Sequence, residues 1–452
     1  MQPNLATQSV LTITLLTGAV CITCVRQSDR ISDMPEKPNF IIIFNDDLGY
    51  GDVGAAGSKL INTPHIDRME REGVRLTNHY SSANICTPSR AGLLTGRYPI
   101  RTGLAFGVLF PQSARGLPHS EVTLSEALRE VGYHTAMFGK WHLGIPEFSW
   151  PTQHGFDSFY GIPYSNDMVP LPMYKNSEVA EEQLDQKDIT RRLTLAAVDF
   201  IHASASEPFF IYLAHPMPHV PLYASEEFEG VSDAGLYGDV IEEIDWSVGE
   251  ILKALADAGV DNKTMVIFTS DNGPWYEGSA GELRERKGGA SYEGGFRVPF
   301  IVRWPGQLPA GHVSDAISMN FDVFPTLLNL AGANIPDDRP IDGKDIWPVL
   351  TGDSPSPHEF LYFFDLEQIT AIRSQKWKFV VYSRYRNGLS SFQGEHRGSP
   401  HYYHPGLLFD LETDPQEQFS FTRENPDVVA VMLDILEQGR SELEVLGVAR
   451  QP

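Results

Sequence analysis

Three apolar runs, each cut short by carboxylates or an imidazole, limit the folds open to this chain more than any other feature. Asn39-Phe40-Ile41-Ile42-Ile43-Phe44 is an unbroken aromatic and β-branched stretch that stops at Asn45-Asp46-Asp47. The same grammar recurs in Thr264-Met265-Val266-Ile267-Phe268-Thr269-Ser270, which stops at Asp271-Asn272-Gly273, and in Phe209-Phe210-Ile211-Tyr212-Leu213, which ends just before His215. Runs without polar alternation read as strands buried on both faces, the habit of a parallel sheet. Amphipathic helices lie between them. Thr123 with Glu126 three residues on forms a capping box ahead of Leu124, Ala127, Leu128 and Val131, with Gly132 as the stop. A longer helix, from about Asp239 to Ala258, stripes Ile241, Ile244, Val248, Ile251, Leu252 and Leu255 along one face and ends at Gly259. The alternation predicts an α/β fold with a large, mostly parallel sheet flanked by helices, whose ligands belong at the C-terminal strand ends.

After about residue 350 the grammar changes. Thr351 to Pro357 is a turn-rich break, followed by strand-like runs at Glu359 to Phe364, Thr370 to Tyr382 and Gly406 to Leu411 and a helical segment from about Pro426 to Val445. We therefore expect a main unit over 37–350 and a smaller C-terminal subdomain of antiparallel sheet and helix over 358–452. The loop Arg384 to His404 concentrates Arg384, Arg386, His396, Arg397, His401, Tyr402 and His404, and reads either as a functional loop or as a long solvated connection.

Residues 1–26 read as an export leader, because Val10 to Val25 is apolar and free of charge and is bounded by Arg26. The run is short for a transmembrane span, and Cys21 or Cys24 is a candidate for lipid attachment, so the expected destination is periplasmic, secreted or lipid-anchored. Without the leader Cys86 would be the one cysteine left. Lys and Arg number 35 against 59 Asp and Glu, a formal charge of −24, which excludes a broad nucleic-acid surface. An anionic substrate must then be met by a small positive site inside an acidic exterior.

Asp46-Asp47 and Asp271-Asn272 offer two pairs of hard oxygen donors at one sheet edge, suited to Ca²⁺ or Mg²⁺, and no Cys/His spacing suggests zinc. Either pair alone reads more readily as a turn or a helix cap. The segment Cys86-Thr87-Pro88-Ser89-Arg90-Ala91-Gly92-Leu93-Leu94-Thr95-Gly96-Arg97 reverses that preference. It resembles the Cys-x-Pro-Ser-Arg and Leu-Thr-Gly signature of type I sulfatases, the formylglycine-dependent enzymes of the alkaline phosphatase superfamily, in which this cysteine is oxidised to Cα-formylglycine. Pro88 suits a first helical turn, which would set residue 86 at a helix N-terminus that favours an anion.

The resemblance runs from about Lys37 to Asp414 and looks closest to the arylsulfatase A branch. It implies a catalytic set of Cys86, Arg90, Lys140, His142, His219 and Lys287, a metal set of Asp46, Asp47, Asp271 and Asn272, and Ser165 beside the sulfate. Gly139-Lys140-Trp141-His142 carries two of these, Gly161 to Asp167 carries Ser165, and Pro218-His219-Val220-Pro221 carries the second imidazole. Lys287 precedes Tyr292-Glu293-Gly294-Gly295 by one residue more than the family's interval. Implied as well are a divalent cation, Ca²⁺ ahead of Mg²⁺, a formylglycine-generating maturation enzyme as partner, and a sulfate monoester as substrate. We favour a sulfated carbohydrate, with Arg397 and His401 as substrate-binding candidates. An aryl sulfate, a phosphonate or phosphodiester, and an inactive sulfated-glycan binding protein are the alternatives; the intact Cys86 and four metal ligands oppose the last.

Overall fold

The computed structural model describes residues 37–384 and 400–443, so the leader, with Cys21 and Cys24, and Arg386, His396 and Arg397 lie outside the described residues. Twelve strands precede residue 320: β1 (Asn39–Asn45), β2 (Val74–Leu76), β3 (His79–Tyr80), β4 (His134–Lys140), β5 (Ser158–Ile162), β6 (Met173–Lys175), β7 (Glu178–Glu181), β8 (Phe209–Ala214), β9 (Thr264–Ser270), β10 (Phe300–Arg303), β11 (His312–Ser314) and β12 (Ser318–Met319). Ten of them form one sheet in the order β11-β2-β10-β9-β1-β8-β4-β5-β6-β7, and β3 pairs with β12. The central run β9-β1-β8-β4-β5 is parallel throughout, as the apolar runs predict.

Register decides what this sheet can do. Phe44 stands opposite both Thr269 and Ala214, Gly139 opposite Ala214, and Lys140 opposite Ile162, so five strands end nearly level. Whatever follows each strand is delivered to one edge. The helices Ile189–Ser204 and Gly235–Asp257 bury Leu193, Ala197, Ile244 and Val248 in one core with Ile41, Ile43, Ile211 and Val266. On the other face Phe40 stacks on Tyr133 with centroids 5.6 Å apart, and Phe156 stacks on Phe210 at 6.0 Å.

The capping box is present: the Thr123 N–H donates to Glu126 Oε2 at 2.7 Å, and the Glu126 N–H donates to Thr123 Oγ1 at 3.2 Å. The long helix starts at Gly235 rather than Asp239. Its extra turn is fastened by a tertiary contact, Tyr237 donating to buried Asp52 at 2.6 Å, which hydrophobic periodicity does not register.

Beyond residue 350, β13 (Leu361–Asp365), β14 (Gln368–Arg373), β15 (Trp377–Arg384) and β16 (Pro400–Asp410) form an antiparallel sheet in that order. The helix Pro426–Glu442 buries Val429, Met432, Ile435 and Leu436 in the same core as its strands. Two expectations need correction. The run Thr370 to Tyr382 is two strands, because Ser374 turns the chain with its N–H donating to the Trp377 carbonyl at 2.8 Å. His401, Tyr402 and His404 lie on β16 and not in a loop, with His401 opposite Ser383 and Tyr402 opposite Tyr382. Tyr80, Tyr292, Phe296 and Phe321 share the core of this sheet, and Phe363 meets Tyr80 and Phe296 edge-on at 5.1 and 4.8 Å.

Candidate active site

The helix Cys86–Thr95 is buried at every position, and no side chain caps its N-terminus, which leaves its first N–H groups available to an anion. Gly96, at φ 70°, closes the helix in the left-handed region. Cys86 opens the helix with Arg90 one turn below it on the same face. The Cys86 thiol lies 3.4 Å from Asp46 Oδ1 and 3.4 Å from Lys287 Nζ. Burial and the neighbouring Asp46 carboxylate push this thiol far up, so it stays protonated and is a poor nucleophile as it stands.

Around that position the level strand ends supply their groups. Asp46 and Asp47 follow β1, and Asp271 and Asn272 follow β9, 224 positions away from Asp47 in the chain. The Asp47 N–H donates to Asp271 Oδ1 at 3.1 Å, and Asn272 Nδ2 donates to Asp47 Oδ1 at 2.8 Å. Asp47 itself sits at φ 65°, a non-glycine left-handed conformation that the surrounding contacts hold in place. Arg90 donates to Asp271 Oδ2 at 2.8 Å and to the Lys140 carbonyl at 3.0 Å, with Asp46 Oδ1 at 3.6 Å.

Lys140, the last residue of β4, pairs with Asp46 and donates to Ser165 Oγ at 3.1 Å. Its approach needs Gly139: a Cβ there would stand 1.8 Å from the Ala214 carbonyl oxygen, and φ is 117°. Lys287 meets Asp47 at 2.7 Å, and His219 Nε2 lies 3.8 Å from Asp47 Oδ2. All but one of the residues expected at the reacting centre therefore converge there: Cys86, Arg90, Lys140, Ser165, His219 and Lys287, with the four metal-type ligands.

His142 is joined less directly. Its Nε2 lies 2.9 Å from the Leu109 carbonyl, which can only accept, so Nε2 carries the proton. Nδ1 is buried and has no hydrogen-bond partner among the described residues. Burial, reinforced by Lys140 and Arg90, holds this imidazole well below its ordinary value and so neutral. Thr87 ties it to the Cys86 helix, donating to the His142 carbonyl at 2.9 Å while accepting the Leu109 N–H at 3.2 Å. Thr87 lay within the signature and could have been singled out. Leu109 carries no sequence signal, since its contribution is a backbone carbonyl.

The electrostatics ask for a cation. Burial would raise Asp46 and Asp271, yet Lys140, His219 and Arg90 hold Asp46 well below the carboxylate range, while burial and Asp46 push Asp271 up to about 7. The donor atoms of Asp46, Asp47, Cys86 and His219 lie within 4.8 Å of one another. Asn272 Oδ1 is buried and has no partner among the described residues, an oxygen donor left for a ligand. Three carboxylates and an amide oxygen in one dry site fit a hard divalent ion.

His401 is exposed on β16, and of its companion Arg397 the structure describes nothing. The strand pair that carries His401 reaches the site's border: the Ala290 N–H, three residues beyond Lys287, lies 3.4 Å from the Arg384 carbonyl at the end of β15.

Comparison with known proteins agrees with this geometry. A family model described as sulfatase matches residues 38–333, and one described as N-sulphoglucosamine sulphohydrolase, C-terminal, matches 287–442. Arylsulfatase A of Bos taurus is 37% identical, the alignment covering 89% of this chain and 86% of that protein. The solved PsFucS1 sulfatase from Pseudoalteromonas sp. superposes with a TM-score of 0.84 at 27% identity, over 96% of this chain and 97% of that one. Ps i-CgsB, solved in complex with k-i-k-neocarrahexaose, gives a TM-score of 0.79 at 30% identity over 89% of this chain and 92% of that one. Motif, level strand ends and sequence relationship together make this chain a member of the sulfatase family, a hydrolase of sulfuric esters.

Proposed function

We propose that the protein cleaves a sulfate monoester with residue 86 as a formylglycine hydrate. The observation that carries this is the position of Cys86, at a buried helix N-terminus and 3.4 Å from both a metal-type carboxylate and a lysine, with a thiol that burial keeps protonated. A reactive thiolate is disfavoured there, whereas an aldehyde hydrate offers two hydroxyls without needing one.

Asp46, Asp47, Asp271 and Asn272 would hold the cation, with Ca²⁺ favoured over Mg²⁺ because an all-protein oxygen cage suits the larger ion. When bound it supplies Lewis acidity, acidifying the attacking hydroxyl and neutralising sulfate charge. Lys140 and Lys287 clamp sulfate oxygens, Ser165 adds a hydroxyl, and the Cys86 helix N-terminus faces the same anion. One hydroxyl of residue 86 attacks sulfur, passing its proton to Asp46, whose Oδ1 lies 3.4 Å from the Cys86 side chain, and forming an O–S bond as the bond from sulfur to the leaving oxygen breaks.

His219 is placed to protonate that leaving oxygen. Its Nδ1 donates to the Val220 carbonyl at 2.6 Å, so the acid is the imidazolium with a second proton on Nε2, and burial with Lys287, by lowering its affinity for that proton, makes it a ready donor. Lys287 is the fixed cation, since Asp47, Cys86, Asp46 and Asp271 together outweigh burial and hold its proton tightly. His142, neutral and with no partner for Nδ1 among the described residues, takes the proton from the second hydroxyl. The carbonyl re-forms, the carbon–oxygen bond to sulfate breaks, and water restores the hydrate. Arg90 acts by fixing Asp271 and Asp46 through its guanidinium.

The substrate we favour is a sulfated carbohydrate, supported by the glycan complex of Ps i-CgsB and by the β15–β16 strand pair beside Lys287; the likeness to arylsulfatase A supports an aryl sulfate as the second reading. Export, with maturation of Cys86 by a separate enzyme, completes the reading; among the described residues no helix is long and apolar enough to cross a membrane. The test is mass spectrometry of the tryptic peptide Leu76–Arg90 after co-production with a maturation system. We expect the mass of an aldehyde in place of the thiol, and Cys86→Ala to be inactive. Full activity with unmodified cysteine, or in Cys86→Ala, disproves the nucleophile.

A further inference from the structure

The segment that carries Lys287 has almost no structure of its own. Between β9 and the short helix Glu293–Phe296 the chain forms neither helix nor strand, and Gly288 and Gly289 follow Lys287 directly. Glu285 and Ser291 bracket it at φ 64° and 82°. Left-handed conformations at such residues persist only where the surroundings over-determine them.

The Lys287 and Gly288 N–H groups donate to the carbonyls of Pro274 and Asn84 at 3.0 and 2.9 Å, and the C-terminal sheet fastens the residues that follow. Ser291 Oγ donates to the Tyr382 carbonyl at 2.5 Å, and the Ala290 N–H reaches the Arg384 carbonyl, both on β15. Two residues beyond Ser291, fully buried Glu293 accepts from Lys378 Nζ of β15 at 2.9 Å and from Tyr80 at 2.8 Å. The same ammonium lies 3.2 Å from Glu417 Oε1, and Glu417 Oε2 accepts the Glu293 N–H at 2.8 Å. Lys378, Glu293 and Glu417 are all at 0% exposure, so the ammonium and both carboxyls are held by protein groups alone. A triad this costly to desolvate specifies one arrangement strongly, because the loss of Lys378 leaves two buried carboxyls without the ammonium that joins them.

We propose that Lys378 and Glu417 are positioning residues for sulfate ester cleavage: by gripping Glu293 they fix how far Lys287 reaches toward residue 86. The proposal rests on the role given above to Lys287. It makes the C-terminal sheet part of the catalytic apparatus, although its strands lie outside the cluster of catalytic side chains.

Glu417→Gln is the gentle probe, since the amide oxygen still accepts the Glu293 N–H while the charge disappears. On a small sulfate ester we expect Glu417→Gln to lower kcat by about tenfold and Lys378→Met by about a hundredfold, the cost of an ångström-scale misplacement, with KM little changed and Lys378→Arg recovering part of the loss. The deciding measurement is the double variant. In a Lys287→Ala background, Glu417→Gln should change kcat by less than about twofold, because its effect travels through the missing lysine. An equal loss in both backgrounds, or no loss from Glu417→Gln in the parent, overturns the proposal, and thermal melting of each variant shows whether a fold defect mimics it. If Lys287→Ala keeps the parent's rate, the reading of Lys287 fails first and this proposal falls with it.

Discussion

Five parallel strands place acids, a lysine and imidazoles where they stop, whereas the antiparallel C-terminal sheet grips a loop that belongs to the main unit. In the first region chemistry comes from termination in register: Lys140 ends β4, and Asp46-Asp47, Asp271-Asn272 and His219 follow strands whose ends are level with it. In the second it comes from fastening, with Tyr382, Arg384, Lys378 and Glu417 holding residues 290–293. A sheet edge is a good place for groups that must be rigid and mutually close. A separate sheet meeting that edge from the side is a good place for what must vary, such as recognition of the leaving group.

This contrast can be broken hardest at the parallel edge. Asp271→Asn preserves shape and its contact to the Asp47 N–H but removes a cation ligand and the charge that faces Arg90, and we expect turnover to fall by at least about 10²–10³-fold. Chelation of the wild-type protein should abolish turnover and also lower the melting temperature, since an ion present at about 100 times its Kd adds roughly 2.7 kcal/mol of stability. Calcium should restore both. Undiminished rate after chelation, with no metal in elemental analysis, would remove the cation from the mechanism.

A smaller effect sharpens the other side of the comparison. His401→Ala, alone and with Arg397→Ala, should reduce kcat/KM on a sulfated oligosaccharide by about 1.5–3 kcal/mol per lost charged hydrogen bond while sparing a small aryl sulfate. Equal losses on the two substrates would mean that this strand supports the catalytic centre itself; no loss on either would leave β16 without a part in recognition.

The smallest effect lies away from both regions. Thr123→Ala removes the capping box of the helix Leu124–Glu130 and should cost about 1 kcal/mol in a denaturation curve, with kcat unchanged. A change in kcat there would show that the β4 side of the sheet transmits strain to Lys140.

Where local pattern carries the information, the sequence is a good guide. The runs ending at Asn45, Ala214 and Ser270 are strands because an unbroken β-branched and aromatic stretch has few other stable fates. The C-terminal half is read less well. The Thr370 to Tyr382 run hides the turn at Ser374, whose fastening is a carbonyl three residues away, and His401 looks like part of a loop until β15 is set opposite it. The extra turn of the Gly235–Asp257 helix depends on Asp52, 185 positions from Tyr237.

By itself the sequence determined the α/β architecture, the residue types at the strand ends and a cysteine opening a helix, because side-chain period and turn chemistry act over a few residues. Only the tertiary structure decided which proton His142 keeps, that Arg90 spends its guanidinium on Asp271 and Asp46, and that Lys287 is held through β15. Those outcomes depend on a carbonyl of Leu109, a register between strands 224 positions apart and a buried triad that joins β15 to the segment after Lys287. Contacts of that kind are fixed by burial and packing after the chain has folded, and no window along the sequence contains both of their ends.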